Sequence, residues 1–428
     1  MAEIRPFRGW HYPGDVSNLI APPYDILSAQ EKAALLARSP DNIVGVDLPV
    51  VPAKEVGPDP VYQAAARKLA AMKEGGPLVQ DERPGLYAYS QAYTWAGKSY
   101  TRKALMCGVR ATELYGDIWP HEKTFAGPKA DRLRLTEETQ MQLSPIFGFF
   151  EDSSQASHTL WSAVADRPPL CQGLLNDVQE RLWAVTDSQV VDRIQRALRG
   201  ARVFIADGHH RYTTALNYRN ALREAGSIDE DHEANFVLFA LVPMSDPGLL
   251  ILPTHRMISG ISNGFDSRQL ASQTGQIVHW RSVPVTDTLL DNPDAFLAPF
   301  GPGAMAFVDA GDPRAAHVAR LRVRSVMDKL APQEHPIWRT LDVAVLHRLF
   351  LEQYIAPHVT GELHPSYTAF GREVMAALRE GACQMAVLLQ GTPLPAVRDI
   401  ALARAVMPHK STYFYPKLAT GMVLKPLT

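Results

Sequence analysis

Residues 202–220, RVFIADGHHRYTTALNYRN, place the strongest local constraint on how this chain can fold. The apolar and β-branched run 203–206 predicts a short buried strand, Asp207-Gly208 ends it, and 211–219 predicts a helix. A helix that begins directly after a glycine turn presents backbone N–H groups and the positive end of its dipole at that turn. The stretch is therefore typical of an anion-binding turn, although an ordinary polar strand-to-helix connection fits the same pattern.

The composition limits the class of protein. The 428 residues allow two or more domains, and 46% hydrophobic with 21% charged residues is typical of a globular protein. A formal net charge of −2 argues against an extended nucleic-acid-binding surface, which would need a basic excess. There is no run of about 20 apolar residues to span a membrane and no signal-peptide core, and three widely separated cysteines fit a reducing compartment. We therefore expect a cytoplasmic protein without a membrane segment.

Short strands and helices alternate along the chain, which predicts a mixed α/β protein of the α+β class. Ser28 and Glu31 have the spacing of a capping box, so we expect a helix over 28–39. The run 42–48 reads as a strand, and the β-rich runs 86–93 and 99–110 predict a hairpin. Further expectations are a polar loop over 121–132 followed by a helix over 133–143, paired strands over 235–243 and 249–253, and a helix over 341–354.

Four broken polar segments stand where strands end or helices begin, the edge at which α/β proteins usually bind ligands. They are 22–25, 121–132, 207–211 and 254–256, with the tail 410–417 as a fifth candidate. Their hydrogen-bond donors suit an anionic ligand that carries more than one phosphate. These donors are His121, Lys123, Lys129, Arg132, His209, His210, Arg211, His255 and Arg256. None of the segments is a P-loop or a dinucleotide-binding fingerprint.

The carboxylates of these segments are the acid–base candidates: Asp25, Glu122, Asp131 and Asp207. In phosphoryl transfer a carboxylate accepts the proton of the attacking hydroxyl while cations hold the phosphates. We expect Glu122, between His121 and Lys123, to be that base. The alternative is a surface ion pair of little energetic value.

A metal site is a competing interpretation. Asp207, His209 and His210, joined by His121 or His255, have side chains that bind transition metals. Neighbouring histidines diverge, however, and the chain has no HExxH motif, so we expect no metal site built from protein ligands alone. Mg²⁺ held chiefly by substrate phosphates remains open. None of the cysteines lies in a polar segment that would activate a thiolate nucleophile.

Seven motifs distributed from residue 20 to residue 418 resemble the domain-of-unknown-function 1015 family, whose members are often labelled ParB/SpoOJ-like. They read APPYD, HEKT with GPKADR, LSPIFG, ADGHHRYTTAL, PTHR, LDVAVLH and KSTYFYPKL. The resemblance implies a ParB/sulfiredoxin-like nucleotide-binding core. In that core Asp207 to Arg211 would cradle phosphates, and Pro23, Tyr24 and Asp25 would line the substrate pocket. Gly208-His209 departs from the sulfiredoxin pattern, which has a cysteine before its histidine, so sulfiredoxin chemistry is not implied.

The two nucleotide-contacting segments of such a core, 22–25 and 207–211 here, lie far apart in this sequence. The resemblance therefore implies a large insertion between them. We therefore expect a core over 1–260 with a β-rich insertion over about 50–200, and a C-terminal α/β region over 261–428 packing on the core. ParB's DNA-binding helix-turn-helix has no evident counterpart, which agrees with the near-zero charge.

The implied function is nucleotide-dependent phosphotransfer. ADP or ATP would be the cofactor, and a small hydroxylated metabolite such as serine or phosphoserine would be the substrate, because free-serine kinases share the superfamily. The catalytic residues would be Glu122, His121 and Asp207. A non-catalytic ParB-like nucleotide switch or adaptor and a phosphoserine phosphatase are the alternatives. In each case the partner is a small phosphorylated ligand.

Overall fold

A computed structural model describes residues 2–52, 55–124, 126–152, 155–262 and 264–428. The chain forms two compact units. The first comprises the residues up to Leu249 together with Pro416–Thr428, and the second comprises Leu250–Tyr415. The predicted boundary after residue 260 therefore lies inside the second unit, and the C-terminal tail belongs to the first.

The strands, numbered in chain order, are β1 Ile4–Arg5, β2 Trp10–His11, β3 Gly14–Asp15, β4 Val79–Gln80, β5 Leu86–Trp95, β6 Lys98–Arg110, β7 Ile118–Trp119, β8 Met141–Gln142, β9 Ile146–Phe150, β10 Cys171–Leu175, β11 Val178–Val185, β12 Val203–Asp207, β13 Phe236–Pro243, β14 Leu250–Leu252, β15 His255–Ile258, β16 Val278–Pro284, β17 Met305–Asp309, β18 Asp312–Leu321, β19 Ser366–Thr368, β20 Met385–Leu388, β21 Tyr413–Tyr415 and β22 Lys425–Pro426.

The α-helices are α1 Ala29–Arg38, α2 Val44–Asp47, α3 Asp59–Lys73, α4 Ala126–Thr139, α5 Ala156–Ser162, α6 Ser188–Leu198, α7 His209–Glu224, α8 Ser267–Thr274, α9 Asp287–Asp291, α10 Pro293–Leu297, α11 Val326–Leu330, α12 Pro336–Arg339, α13 Asp342–Val345, α14 Gly371–Arg379 and α15 Leu394–Leu402. Leu346–Ile355 is π-helical, and 3₁₀ turns cover Tyr24–Ile26, Glu233–Asn235, Ala298–Phe300 and Ala356–His358. The mixed α+β class predicted from the sequence is confirmed. None of the described helices is both long and apolar enough to cross a membrane.

The first unit is built on one large sheet with the strand order β3-β10-β11-β5-β6-β13-β9-β12-β7, and β1 also pairs with β6. The predicted hairpin is confirmed as β5 and β6, with Tyr87, Tyr89 and Tyr93 at alternate positions of β5. Every residue of β13 is buried, and β6 and β9 occupy both of its edges. The strand β12 lies between β9 and β7 and leads directly into α7.

The C-terminal tail is part of the first unit at several points. Lys425 in β22 pairs with Gln142 of β8. Isolated bridges join Thr420 to Ala21 and Leu424 to Trp10. The tail from Pro416 onward therefore packs in the first unit, although more than 160 residues separate it in sequence from Leu249.

The second unit contains a six-stranded sheet with the order β16-β18-β17-β20-β15-β19. A separate antiparallel pair joins β14 to β21, with Leu250 opposite Tyr415. The first and last residues of this unit are thus neighbours on paired strands.

Three local expectations were wrong. Val44–Asp47 is helical rather than extended, and the Val44 N–H at its start donates to Asn42 Oδ1 at 3.0 Å. Leu250–Leu252 pairs with β21 and not with β13, whose edges are both occupied. The region of the expected loop over 121–132 becomes helical from Ala126, so α4 starts seven residues earlier than the helix expected at 133. The capping box of α1 is confirmed, with both of its reciprocal hydrogen bonds present.

Candidate functional site

The turn between β12 and α7 is a left-handed glycine turn. Gly208 has φ +92°, and a Cβ at this position would lie 3.0 Å from the Arg211 guanidinium. Tyr212 donates the first helical hydrogen bond, to the Gly208 carbonyl at 3.0 Å. The N–H groups of His209 and Arg211 precede that bond, and the N-cap Gly208 has no side chain with which to cap the helix. The turn therefore offers backbone donors at the positive end of a 16-residue helix.

Asp207 holds two cations beside this turn. Its Oδ2 atom lies 3.2 Å from Lys417 Nζ and 3.8 Å from Arg211 NH2. Burial alone would raise the pKa of Asp207, but Lys417 and Arg211 outweigh it and hold the pKa below its usual range. Asp207 is therefore ionised at neutral pH, and the Asp207, Arg211 and Lys417 side chains carry one net positive charge together.

Two buried histidines connect the turn to the segment that follows β7. His121 Nδ1 donates to the Ile205 carbonyl at 2.9 Å, and the His121 N–H donates to Nε2 of His209 at 3.3 Å. Since Nε2 accepts, the neutral His209 ring carries its proton at Nδ1. That nitrogen lies 4.0 Å from Oε2 of Glu122, whose side chain is 30% exposed. The two rings meet edge to face with their centroids 4.7 Å apart.

Both histidines are neutral at pH 7. Burial lowers the pKa of His121 to about 4. Burial, and then the neighbouring His121, lowers the pKa of His209 well below its usual range. Neutral rings donate and accept hydrogen bonds without adding charge, so they orient the turn and Glu122 rather than bind phosphate electrostatically.

A second buried group lies around Arg132. Its guanidinium contacts Asp131 at 2.6 Å and Asp47 at 3.4 Å, and its Cζ lies 4.1 Å from the centre of the Tyr24 ring. Asp131 also accepts from the Tyr62 hydroxyl at 2.7 Å. Arg132 is 5% exposed. Its charge is balanced by these two carboxylates, and its role as a phosphate donor stays a prediction.

A sequence profile described as "Protein of unknown function (DUF1015)" matches residues 4–344. The chain belongs to this family. Among functionally curated proteins, no sequence matches it.

Several solved structures are distantly similar to this DUF1015 protein. A free serine kinase variant in complex with AMP has 10% identity and a TM-score of 0.34, and the alignment covers 74% of this chain and 92% of that one. A conserved hypothetical protein from Pyrococcus furiosus has 12% identity and a TM-score of 0.31, over 74% and 95% of the two chains. SbnI with a C-terminal truncation, from Staphylococcus aureus, has 11% identity and a TM-score of 0.31, over 75% and 87%.

The remaining predicted site residues of this DUF1015 protein lie in varied surroundings. Pro23 and Tyr24 are buried, whereas Asp25 and Lys123 are exposed. His210 and Lys129 are half-buried. His255 and Arg256 belong to the second unit, where both are fully buried on β15. Within the first unit the structure brings together His121, Glu122, Asp207, Gly208, His209 and Arg211.

Sequence reasoning noted the polar tail but gave Lys417 no role. Its position depends on a buried network under the hairpin. Arg102 NH2 donates to the Pro416 carbonyl at 2.6 Å, and Gln91 Nε2 donates both to the Lys417 carbonyl and to Glu180, at 3.0 Å each. The lysine next to aromatic residues in KSTYFYPKL was the available signal, but its contact with Asp207 spans 210 residues.

A cavity of about 60 Å³ opens beside α7, and Asp47, Arg132 and Arg211 contribute to its wall. Nucleotide pockets are several-fold larger, at roughly 300–1,000 Å³. The cavity therefore admits water or a small ion and is too small for a nucleotide. Among the described residues, no group of three or more histidine, cysteine, aspartate or glutamate side chains is arranged to hold a metal ion.

Proposed function

We propose that this DUF1015 protein is a phosphotransferase that binds ADP or ATP at the Gly208 turn and phosphorylates the hydroxyl of a small metabolite such as serine. The observation that carries the proposal is the combination of an uncapped helix start with Lys417 and Arg211, both held at the turn by an ionised Asp207. Backbone donors at a helix start and paired cations are the usual means of binding phosphate groups.

Glu122 is the proposed base. Its carboxylate is partly exposed and faces the Nδ1–H of neutral His209 at 4.0 Å. The substrate oxygen attacks the terminal phosphorus, its proton passes to Glu122, and the bond from phosphorus to the bridging oxygen breaks. The electron pair of that bond stays on the departing nucleotide phosphate, where Lys417 and Arg211 offset the charge. Mg²⁺, when bound to the phosphates, would supply further charge neutralisation.

His121 and Asp207 act as positioning residues in this proposal. His121 is 1% exposed and bonded to Ile205 and His209, so it fixes the ring that faces Glu122. Asp207 is held ionised by two cations, which makes it a weak proton acceptor and a strong anchor for Lys417. Of the three residues expected to be catalytic, Glu122 alone is the proposed proton acceptor.

The test is a transfer assay with ADP or ATP, with and without Mg²⁺, against serine and a panel of hydroxylated metabolites, followed by ³¹P NMR. We expect a phosphorylated product, and we expect Glu122→Gln to lower turnover by about 10²–10⁴-fold while nucleotide binding persists. Glu224→Gln is the matched control, because Glu224 is exposed at the far end of α7. Wild-type protein that binds nucleotide but transfers nothing across the panel would contradict the catalytic proposal. Equal turnover in Glu122→Gln would exclude Glu122 as the base.

A further inference from the structure

Arg256, in the second unit, is a fully buried cation without a carboxylate partner among the described residues. Its side chain is 0% exposed, and it takes part in none of the ion pairs found there. Burial lowers the pKa of Arg256 to about 10, so the guanidinium is still charged at neutral pH. An uncompensated buried charge is costly, and proteins normally neutralise it with a counter-ion or a ligand.

The contacts that Arg256 does make are all with uncharged groups. Its NH2 group lies 3.3 Å from His347 Nε2 and 3.3 Å from the His409 carbonyl, and its Cζ lies 5.0 Å from the centre of the Tyr367 ring. NH1 donates to the Thr254 carbonyl. The two NH2 contacts are longer than the roughly 2.7–2.9 Å that is usual for charge-assisted hydrogen bonds. The guanidinium therefore keeps binding capacity that its present neighbours do not use.

Two polar atoms near this guanidinium are buried and lack hydrogen-bond partners among the described residues. They are Nε of Arg256 and Oγ1 of Thr254. Thr254 is 5% exposed. Thr254 lies next to this guanidinium, because its carbonyl accepts from Arg256 NH1. A buried donor left unpaired costs about 1–3 kcal/mol. Such a cost is expected where a ligand completes the hydrogen bonds.

We propose that Thr254, Arg256 and His347 form a binding site for a small oxyanion, a phosphate or carboxylate group, within the second unit. A guanidinium matches both anions with two parallel N–H donors, the Thr254 hydroxyl adds a third donor, and neutral His347 accepts from Arg256 or donates after tautomer exchange. Arg256 lies beneath half-buried His347 and Tyr367 and the exposed His409. The anion replaces the long contact with the His409 carbonyl, so the segment around His409 shifts on binding. This site does not depend on the proposed phosphotransfer, whose residues belong to the first unit.

The test uses full-length protein labelled with ¹⁵N-arginine. The Nε–Hε resonance that is missing in Arg256→Met is assigned to Arg256, and Arg256→Lys supplies the assignment if the methionine variant does not fold. Orthophosphate and acetate are titrated separately, which distinguishes a phosphate from a carboxylate ligand. We expect the Arg256 resonance to shift saturably with at least one of them, and Thr254→Val to weaken that binding at least threefold.

Two controls separate binding from a structural role. Arg314→Met removes an exposed arginine of β18 and should leave the titration unchanged. The difference in thermal stability between wild type and Arg256→Met should widen when the saturating anion is added, because only the wild type binds it. An Arg256 resonance that neither anion shifts would overturn the proposal. A stability difference that is the same with and without anion would overturn it as well.

Discussion

Gly208 is constrained by both its backbone and its surroundings. Its φ of +92° is unfavourable for any residue with a Cβ, and that Cβ would contact the Arg211 guanidinium at 3.0 Å. We expect Gly208→Ala to lower the free energy of unfolding by about 1–3 kcal/mol and to displace Arg211 from the turn. Urea denaturation and calorimetric titration with ADP would measure the two effects.

Gly226 provides the matched control for that substitution. It follows the other end of α7 with φ +65°, and no atom of the described residues lies within 4 Å of the place that a Cβ would occupy. Gly226→Ala should therefore show the backbone cost alone and bind ADP as the wild type does. If both variants lost ADP binding equally, the loss would come from general destabilisation and not from the turn.

The buried histidine His121 makes stability depend on pH. Its pKa is about 4 in the folded protein, below the usual 6.5, so the unfolded chain takes up the proton first on acidification. The stabilisation is present above pH 6.5 and is lost as the pH falls toward 4. We expect His121→Gln to flatten the fall in unfolding free energy over this interval, by up to about 3 kcal/mol. His158→Gln, at an exposed position, should leave the slope unchanged, and parallel profiles for all three proteins would contradict the prediction.

Six of the residues around the turn were named from the sequence, and Lys417 was given no role. Asp207, Gly208 and Arg211 were predictable because strand, glycine and helix start are adjacent in the chain. His121 and Glu122 were named from polarity, but their contact with His209 requires the pairing of β7 with β12, which no local pattern encodes. The ion pair of Arg132 with Asp47 was not predictable, because Asp47 lies 85 residues earlier.

Helices and hairpins with strong local signals were predictable as elements. The capping box of α1 and the alternation of β5 and β6 each depend on neighbours within a few residues. The short helix Val44–Asp47 was not predictable, because its β-branched valines favour a strand. The partner of β14 was not predictable either, because it follows from β13 having no free edge.

The strand β11 contributes a carboxyl group that anchors the tail. Glu180 is 1% exposed and accepts from the Tyr89 hydroxyl at 2.6 Å and from Gln91 Nε2 at 3.0 Å. Burial raises the pKa of Glu180 to about 7 from its usual 4.5. The folded protein therefore holds a proton that the unfolded chain releases. This stabilisation is fully present below pH 4.5 and is lost as the pH rises through 7.

Replacing Glu180 by glutamine tests whether stability falls as the pH rises through 7, because the amide cannot ionise. We expect Glu180→Gln to resemble the wild type near pH 5 and to exceed it in unfolding free energy at pH 8–9, by at most about 3 kcal/mol. Urea denaturation at several pH values measures the difference, with the exposed Glu82→Gln as control. A variant that loses stability in parallel with the wild type above pH 7 would show that Glu180 does not titrate there.

The second unit is inserted into the first at a single place. Leu250 and Tyr415 are opposite each other on β14 and β21, so the residues that flank the insertion are separated by about one strand spacing, ~5 Å. A short Gly-Ser linker from Leu249 to Pro416 should therefore give a chain that folds as the first unit. We expect cooperative thermal unfolding, followed by circular dichroism, and retained nucleotide binding.

The comparison for this design is a fragment that ends at Leu249. It lacks β22, the bridges of Thr420 and Leu424, and Lys417. We expect it to unfold without a cooperative transition. If the fragment were as stable as the linked chain, the tail would contribute nothing to the first unit.

The distance in sequence between Asp207 and Lys417 also has a consequence for how the protein matures on the ribosome. Lys417 is added 210 residues after Asp207, which at ordinary rates of translation takes roughly 10–40 s. During that interval the glycine turn exists without one of its two cations, and Asp207 is paired only with Arg211. A nascent chain would therefore complete the cluster of Asp207, Arg211 and Lys417 only after the whole inserted unit has been synthesised.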